Sequence, residues 1–317
     1  MANSARKIGA ARLSVAAAVS LAVVKLATGL LTGSLAVLSS AIDSLLDILM
    51  SGVNLFAIQH AEQPADERHP YGHGKFETLA TIFQSLAIAA SGGWIIYEAL
   101  KRLAAGSTVT SPGSGMVVMA GSLVVSWFLS RHLRRTAHET DSSALEADSL
   151  HFAMDVYTNL ALLVGLGLLA LFNLPWLDPV MSLLVAVYIL YEALRLLRRG
   201  MGDVLDEQLP ETVRSEIERL IDDHKHELFG FHNLRTRRAG SQKLIDFHLT
   251  VCKHLSVAEA HDITDYLERR IAGQIQGTDV TIHVEPCRRH DCPGREHCPA
   301  QTVRGKHENG EKPWWEV

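Results

Sequence analysis

Cysteine is scarce: the chain has four, and three of them (Cys287, Cys292 and Cys298) lie beyond residue 286. A disulfide framework is therefore not expected in the body of the protein. Cys252 stands alone in a strand-like run, where a thiol is commonly just buried. Aromatic residues amount to 6%, and no basic stripe with interleaved aromatics occurs, which removes nucleic acid as a partner. The His-Glu-x-x-His pattern of zinc proteases is also missing: His138-Glu139 runs into Thr140-Asp141-Ser142, and His226-Glu227 has no histidine three residues on. No serine or cysteine nucleophile sits with a base in any apolar run, so an enzyme is not expected.

What the chain does have is apolar length. Hydrophobic residues make up 47% of it and are concentrated in the first two thirds, which points to a membrane rather than a soluble core. Six runs qualify, at 13–31, 35–58, 79–100, 116–129, 145–171 and 176–197. A helix needs about 20 residues to cross the hydrocarbon layer. All but the fourth reach that length, and the fourth must draw on flanking residues such as Gly113 and Ser130. Arg6, Lys7 and Arg12 before an alanine-rich run resemble a signal peptide, but the apolar segment continues through Lys25 without a clean cleavage region. Arg68 and Lys75, Arg131, Arg134 and Arg135, and Arg195, Arg198 and Arg199 fall on the same side as the N-terminus, so both termini are expected in the cytoplasm.

After Gly200 the composition changes to that of a small soluble domain. Val213, Ile217, Leu220 and Ile221 fall on one helical face after Pro210, and strands are predicted at 232–238 and 243–251 around the turn Ala239-Gly240-Ser241-Gln242. Ser256, with Glu259 three residues on, reads as the capping box of a second helix running to about Ile271, and a last strand covers 279–285. The expected fold is thus an α-helical membrane protein. Residues 1–200 form six transmembrane helices, residues 201–286 a cytoplasmic αββαβ open-faced sandwich, and residues 287–317 a polar, flexible tail.

Chemistry-bearing residues then stand out against the apolar background. Asp43 and Asp47 are four apart in the second run, and His151 and Asp155 four apart in the fifth, so each pair shares one helix face. A charged side chain at the bilayer centre costs about 2.5–3.5 kcal/mol on insertion scales, so such residues are expected to face one another or a polar cavity. A structural hydrogen-bond network accounts for one such aspartate more readily than for two pairs on two spans. Three carboxylates and an imidazole suit zinc and also admit cadmium, iron(II), cobalt or manganese, while the lack of cysteine argues against copper(I). Asp66, His69 and His73 form a second candidate between the second and third runs. His232, His248, His261, His283 and Glu285 are spread over the predicted strands and helix of the soluble domain. Cys287, Cys292 and Cys298 are possible tail ligands, although their spacing is not that of a zinc finger.

The two intramembrane pairs, the soluble αββαβ domain behind them and the loop Asp66-Glu-Arg-His69-Pro-Tyr-Gly-His73-Gly-Lys75-Phe-Glu77 resemble the cation diffusion facilitator family over roughly residues 8–286. That resemblance implies a homodimer in the lipid bilayer that exports divalent metal from the cytoplasm in exchange for protons. It also implies a binuclear site at His232, His248, His261, His283 and Glu285, with His248 bridging; Glu285 stands where such members often carry aspartate. Metal requires neutral imidazole and ionised carboxylates, so loading the site expels protons, with His151, Asp47 and Asp155 as the expected carriers. The short length and the lack of a histidine-rich loop between the fourth and fifth runs resemble bacterial members of the family, a resemblance that implies a bacterial inner membrane. The alternative is a membrane-anchored metal sensor that transports nothing.

Overall fold

The computed structural model describes residues 2–32, 35–105, 116–172, 176–223 and 229–288. They divide into two units, Met1–Val204 and Leu205–Val317. The first is built from six long helices: α1 (Ala2–Thr32), α2 (Leu35–Ala61), α3 (Lys75–Ala105), α4 (Met116–Thr140), α5 (Ser143–Phe172) and α6 (Leu177–Val204). Among the described residues, α1, α2, α3 and α6 carry stretches long and apolar enough to cross a membrane. In α4 the apolar part stops near Leu129, yet the helix continues through Arg131, Arg134 and Arg135. Of the flanking residues assigned to that span, Gly113 lies outside the described residues. Ser130 lies within α4, and its hydroxyl donates to the Ser149 carbonyl of α5 at 2.8 Å.

In lipid there is no hydrophobic drive between helices, so small residues that let backbones approach hold such bundles together. That is the composition found here: Ala10, Ala11, Ala57, Ala80, Ala137 and Ala144 are buried around Leu133, Leu145 and Phe152. Where α3 meets α6, a Cβ on Gly200 would fall 2.8 Å from Cγ1 of Ile82. Leucines such as Leu45, Leu46 and Leu49 point outward, as lipid-facing side chains do.

The second unit runs α7 (Glu211–Asp222), β1 (Gly230–Ala239), β2 (Gln242–Val251), α8 (Val257–Gln274) and β3 (Thr278–Pro286), the predicted order. Its sheet is β1-β2-β3, with β1 antiparallel and β3 parallel to the central strand; α8 is the crossover that a parallel pair requires. Ser256 and Glu259 form the capping box at the start of α8. Ile245, Phe247, Leu249 and Val251 of β2 pack against Ile217, Leu220 and Ile221 of α7 and Ile263, Leu267 and Ile271 of α8. Strand residues alternate between faces, so His248 necessarily points away from both helices. Two described residues, Cys287 and Arg288, follow β3. The Cys287 amide donates to the Val251 carbonyl at 2.9 Å and its side chain is buried.

Candidate metal centres

Two helices build the intramembrane site. Asp47 comes from α2, and His151 and Asp155 from consecutive turns of α5. His151 Nε2 lies 3.0 Å from Asp47 Oδ1. One ligand atom from each of these three residues can be chosen so that all lie within 4.8 Å of one another. Donors placed tetrahedrally on one ion with bonds near 2.0–2.2 Å stand about 3.3–3.6 Å apart, so the three need only draw together slightly to close on one ion. Asp43 stands apart from the trio. It sits one turn before Asp47 and is exposed, close to Ser44, whose hydroxyl accepts from Lys25 Nζ at 2.8 Å.

In the loop, Asp66, His69 and His73 also bring their ligand atoms within 4.8 Å of one another. The His69 and Arg68 amides donate to Asp66 Oδ1 at 2.6 and 2.9 Å. Those two bonds, the first above all, hold the Asp66 carboxyl below the usual carboxylate range, with the neighbouring histidines adding to the effect. His73 is buried, and its Nδ1 lies 3.2 Å from the Pro64 carbonyl while Nε2 faces Asp66 Oδ2 at 3.4 Å. With Nδ1–H donated to that carbonyl, Nε2 is left with its lone pair toward the carboxylate, the tautomer that a ligating imidazole needs.

The soluble unit lines up its histidines by register. His232 on β1 is paired with His248 on β2, and His248 with His283 on β3, giving one row across three strands. Ring centroids in that row are 5.1 and 4.8 Å apart. An irregularity between His232 and Arg235, where Asn233 takes a φ of +58°, aims His232 into the row. Glu285 Oε1 lies 3.0 Å from His248 Nδ1, and Oε2 lies 3.6 Å from His232 Nε2. The bond to His248 holds the Glu285 carboxyl below its ordinary value, and the other two histidines act in the same direction. His232, His248 and Glu285 bring their ligand atoms within 4.8 Å, and His283 Nε2 is 4.0 Å from the same carboxylate. The additional methylene of glutamate therefore does not keep the carboxylate from the imidazoles. His261 does not join them within one chain: it is exposed on α8, and α8 covers the other face of the sheet. Cys287 is buried, and Cys292 and Cys298 lie outside the described residues.

The family description "Cation efflux transmembrane domain" matches residues 11–204, and "Cation efflux protein, cytoplasmic domain" matches residues 209–287. The chain belongs to the cation diffusion facilitator family. It is 36% identical over 256 residues to the cation-efflux pump FieF of Escherichia coli and, equally, to that of Citrobacter koseri, covering 81% of this chain and 85% of each relative. Among solved structures, the zinc form of the transporter CzrB is 39% identical, covering 26% of this chain and 92% of that one, with a TM-score of 0.25. The metal-bound C-terminal domain of CzcD from Thermotoga maritima is 25% identical over 26% of this chain and all of that one, with a TM-score of 0.24. As a cation diffusion facilitator the protein is a membrane transporter and not an enzyme.

Two buried polar groups of this transporter were not singled out from sequence. Asp148, one turn before His151, is fully buried; its Oδ1 accepts from Gln84 Nε2 at 3.3 Å and from Ser51 Oγ at 3.5 Å. Ser51 in turn accepts from Ser14 Oγ at 2.9 Å, and Gln84 Oε1 from Asn54 Nδ2 at 2.6 Å. The second group is Lys7, buried against Glu62 and Glu77. A search for lone charges within apolar runs would have found Asp148; Lys7 was read only as a topology signal. Asp148→Ala is expected to leave the Gln84 and Ser51 donors without an acceptor, a loss of about 1–3 kcal/mol. Asp148→Asn, which keeps an oxygen there, should cost less. Thermal unfolding of the two variants in detergent checks the ranking.

Proposed function

We propose that this cation diffusion facilitator exports divalent transition metal, zinc foremost with cadmium and iron(II) as further cargo, from the cytoplasm in exchange for protons. It works as a homodimer in a bacterial inner membrane, with both termini cytoplasmic. The observation that carries the reading is the trio Asp47, His151 and Asp155, gathered from α2 and α5. Each of its ligand atoms binds either a proton or a metal ion, so the two cargoes compete for the same lone pairs. If the trio is opened alternately to the two sides, entry of protons on one side displaces metal, and entry of metal on the other displaces protons. Asp43, one turn away, supplies further negative charge and is the fourth ligand in this reading. It would need a modest rotation of α2, or the metal itself, to draw it in.

The row of His232, His248, His283 and Glu285 holds metal as a regulatory ligand. Imidazole nitrogens and a carboxylate are a donor set that suits zinc. Its place on the uncovered sheet face leaves it open to a second copy of the chain, the route by which His261 of another protomer would complete it.

Proteoliposomes with an imposed pH gradient test the reading. Zinc, cadmium, iron(II) and manganese fluxes are compared with and without the gradient. Flux that grows with the gradient supports antiport, and the ion ranking names the cargo. Protein that moves no metal while its soluble unit still binds it would be a sensor.

A further inference from the structure

The loop between α2 and α3 is held at both ends by one buried cation. Lys7, near the start of α1, is 2% exposed. Its ammonium group meets Glu62, the first residue after α2, and Glu77 Oε1 in the first turn of α3 at 3.1 Å. Glu77 is itself fully buried, and its Oε2 accepts from Ser142 Oγ at 2.9 Å. Glu62 and Glu77 bracket the segment that carries Asp66, His69 and His73. Inside the bracket, the His73 carbonyl accepts from the Phe76 amide at 3.0 Å, and the His73 ring lies against the Phe76 ring at 6.2 Å. His73 is thereby fixed to the same turn of α3 that Lys7 clamps.

Burying the Lys7 ammonium and the Glu77 carboxylate, with Glu62 half-buried beside them, is costly, and well-packed apolar residues in place of such a pair are often as stable or more so. The clamp therefore calls for a role besides stability. A metal site binds more tightly when its ligands are held in the bound geometry beforehand, because less ordering is left for the binding step. With both ends fixed, the loop has fewer conformations to lose when three ligands close on one ion. We propose that Lys7 is a positioning residue for a divalent-cation site at Asp66, His69 and His73, setting its affinity by clamping both ends of the loop. By reciprocity, a cation in the loop tightens the Lys7 clamp and so the contact between α1, α3 and Ser142, the residue just before α5. The inference rests on the reading of the loop as a metal site.

The test is calorimetric titration of full-length protein in detergent with zinc and, separately, cadmium. An Asp47→Ala/His248→Ala background removes binding at the other two centres. Into it are placed Asp66→Ala, Lys7→Met, Lys7→Arg and Glu62→Gln. Lys7→Met and Glu62→Gln should weaken loop binding about 10–100-fold, the usual effect of losing a group that orients ligands. Lys7→Arg should restore most of the affinity, which a general loss of packing would not predict. Glu62→Gln keeps the buried Lys7–Glu77 pair and so remains readable if Lys7→Met does not fold. Unchanged binding in Asp66→Ala overturns the loop reading itself. Loss in Asp66→Ala with parental affinity in Lys7→Met, or in Glu62→Gln where Lys7→Met does not fold, leaves the loop site standing and overturns the clamp.

Discussion

Asp47→Ala is expected to abolish metal flux in proteoliposomes while leaving the fold and the metal binding of the soluble unit intact. Asp47 joins α2 to α5 through its contact with His151 Nε2 at 3.0 Å, so its loss removes a proposed ligand and also frees the imidazole it orients. Losing only a group that orients a ligand typically costs 10–100-fold, so losing the ligand itself should cost more than about 100-fold. Asp47→Asn sharpens the result. Its amide oxygen can still accept from His151, but it contributes no charge to balance a divalent ion. If flux depends on charge, the asparagine variant is as dead as the alanine one; if it depends only on holding His151, asparagine retains most of it. Asp43→Ala gives the contrast that the geometry predicts. Asp43 lies outside the trio, so its removal should leave metal binding at the trio measurable while weakening it. Equal loss at both positions would mean that the metal-bound site draws Asp43 in fully.

Sequence and structure agree where one local rule decides the outcome. The helix-strand-strand-helix-strand order followed from apolar periodicity, and the start of α8 from a serine with a glutamate three residues on. The i, i+4 spacing put Asp43 beside Asp47 and His151 beside Asp155, but such spacing treats both members of a pair alike. Which aspartate of α2 meets α5 depends on the rotation of one helix against the other, and that is set by the small residues of the bundle. His261 illustrates the same limit. Its helix must cover one face of the sheet, and only the buried Ile245, Phe247 and Leu249 reveal that this face is not the one carrying His248. The row of three histidines was equally hidden, because register across the sheet depends on an irregularity at Asn233 that no periodicity announces. Lys7 and Asp148 were passed over because a single charge near the end of an apolar run has an ordinary reading as a solvated residue, and only packing shows each to be buried.

His248→Ala should remove metal binding from the soluble unit more completely than any other single change in the row. His248 occupies the central strand, with His232 on one side, His283 on the other and the Glu285 carboxylate at 3.0 Å. Removing an end histidine leaves two imidazoles and Glu285 adjacent; removing the middle one leaves His232 and His283 separated by a strand. Metal that binds only the folded state stabilises it by about 2.7 kcal/mol at a hundred times its dissociation constant. Saturating zinc should therefore raise the unfolding temperature of the wild-type unit, leave that of His248→Ala unchanged, and give an intermediate rise for His232→Ala. The pH dependence has a definite sign. Glu285 is held below its ordinary value by His248, so the stability it contributes is present above the unfolded carboxylate value, near 4.3, and is lost as pH falls through the lowered one. The imidazoles must lose their protons to bind metal, so acidification should release zinc while Glu285 is still ionised. A zinc-dependent rise in unfolding temperature that disappears on mild acidification, well above the carboxylate range, is the expected result. A rise that persists until the carboxylates titrate would assign the metal to oxygen ligands instead of the histidine row.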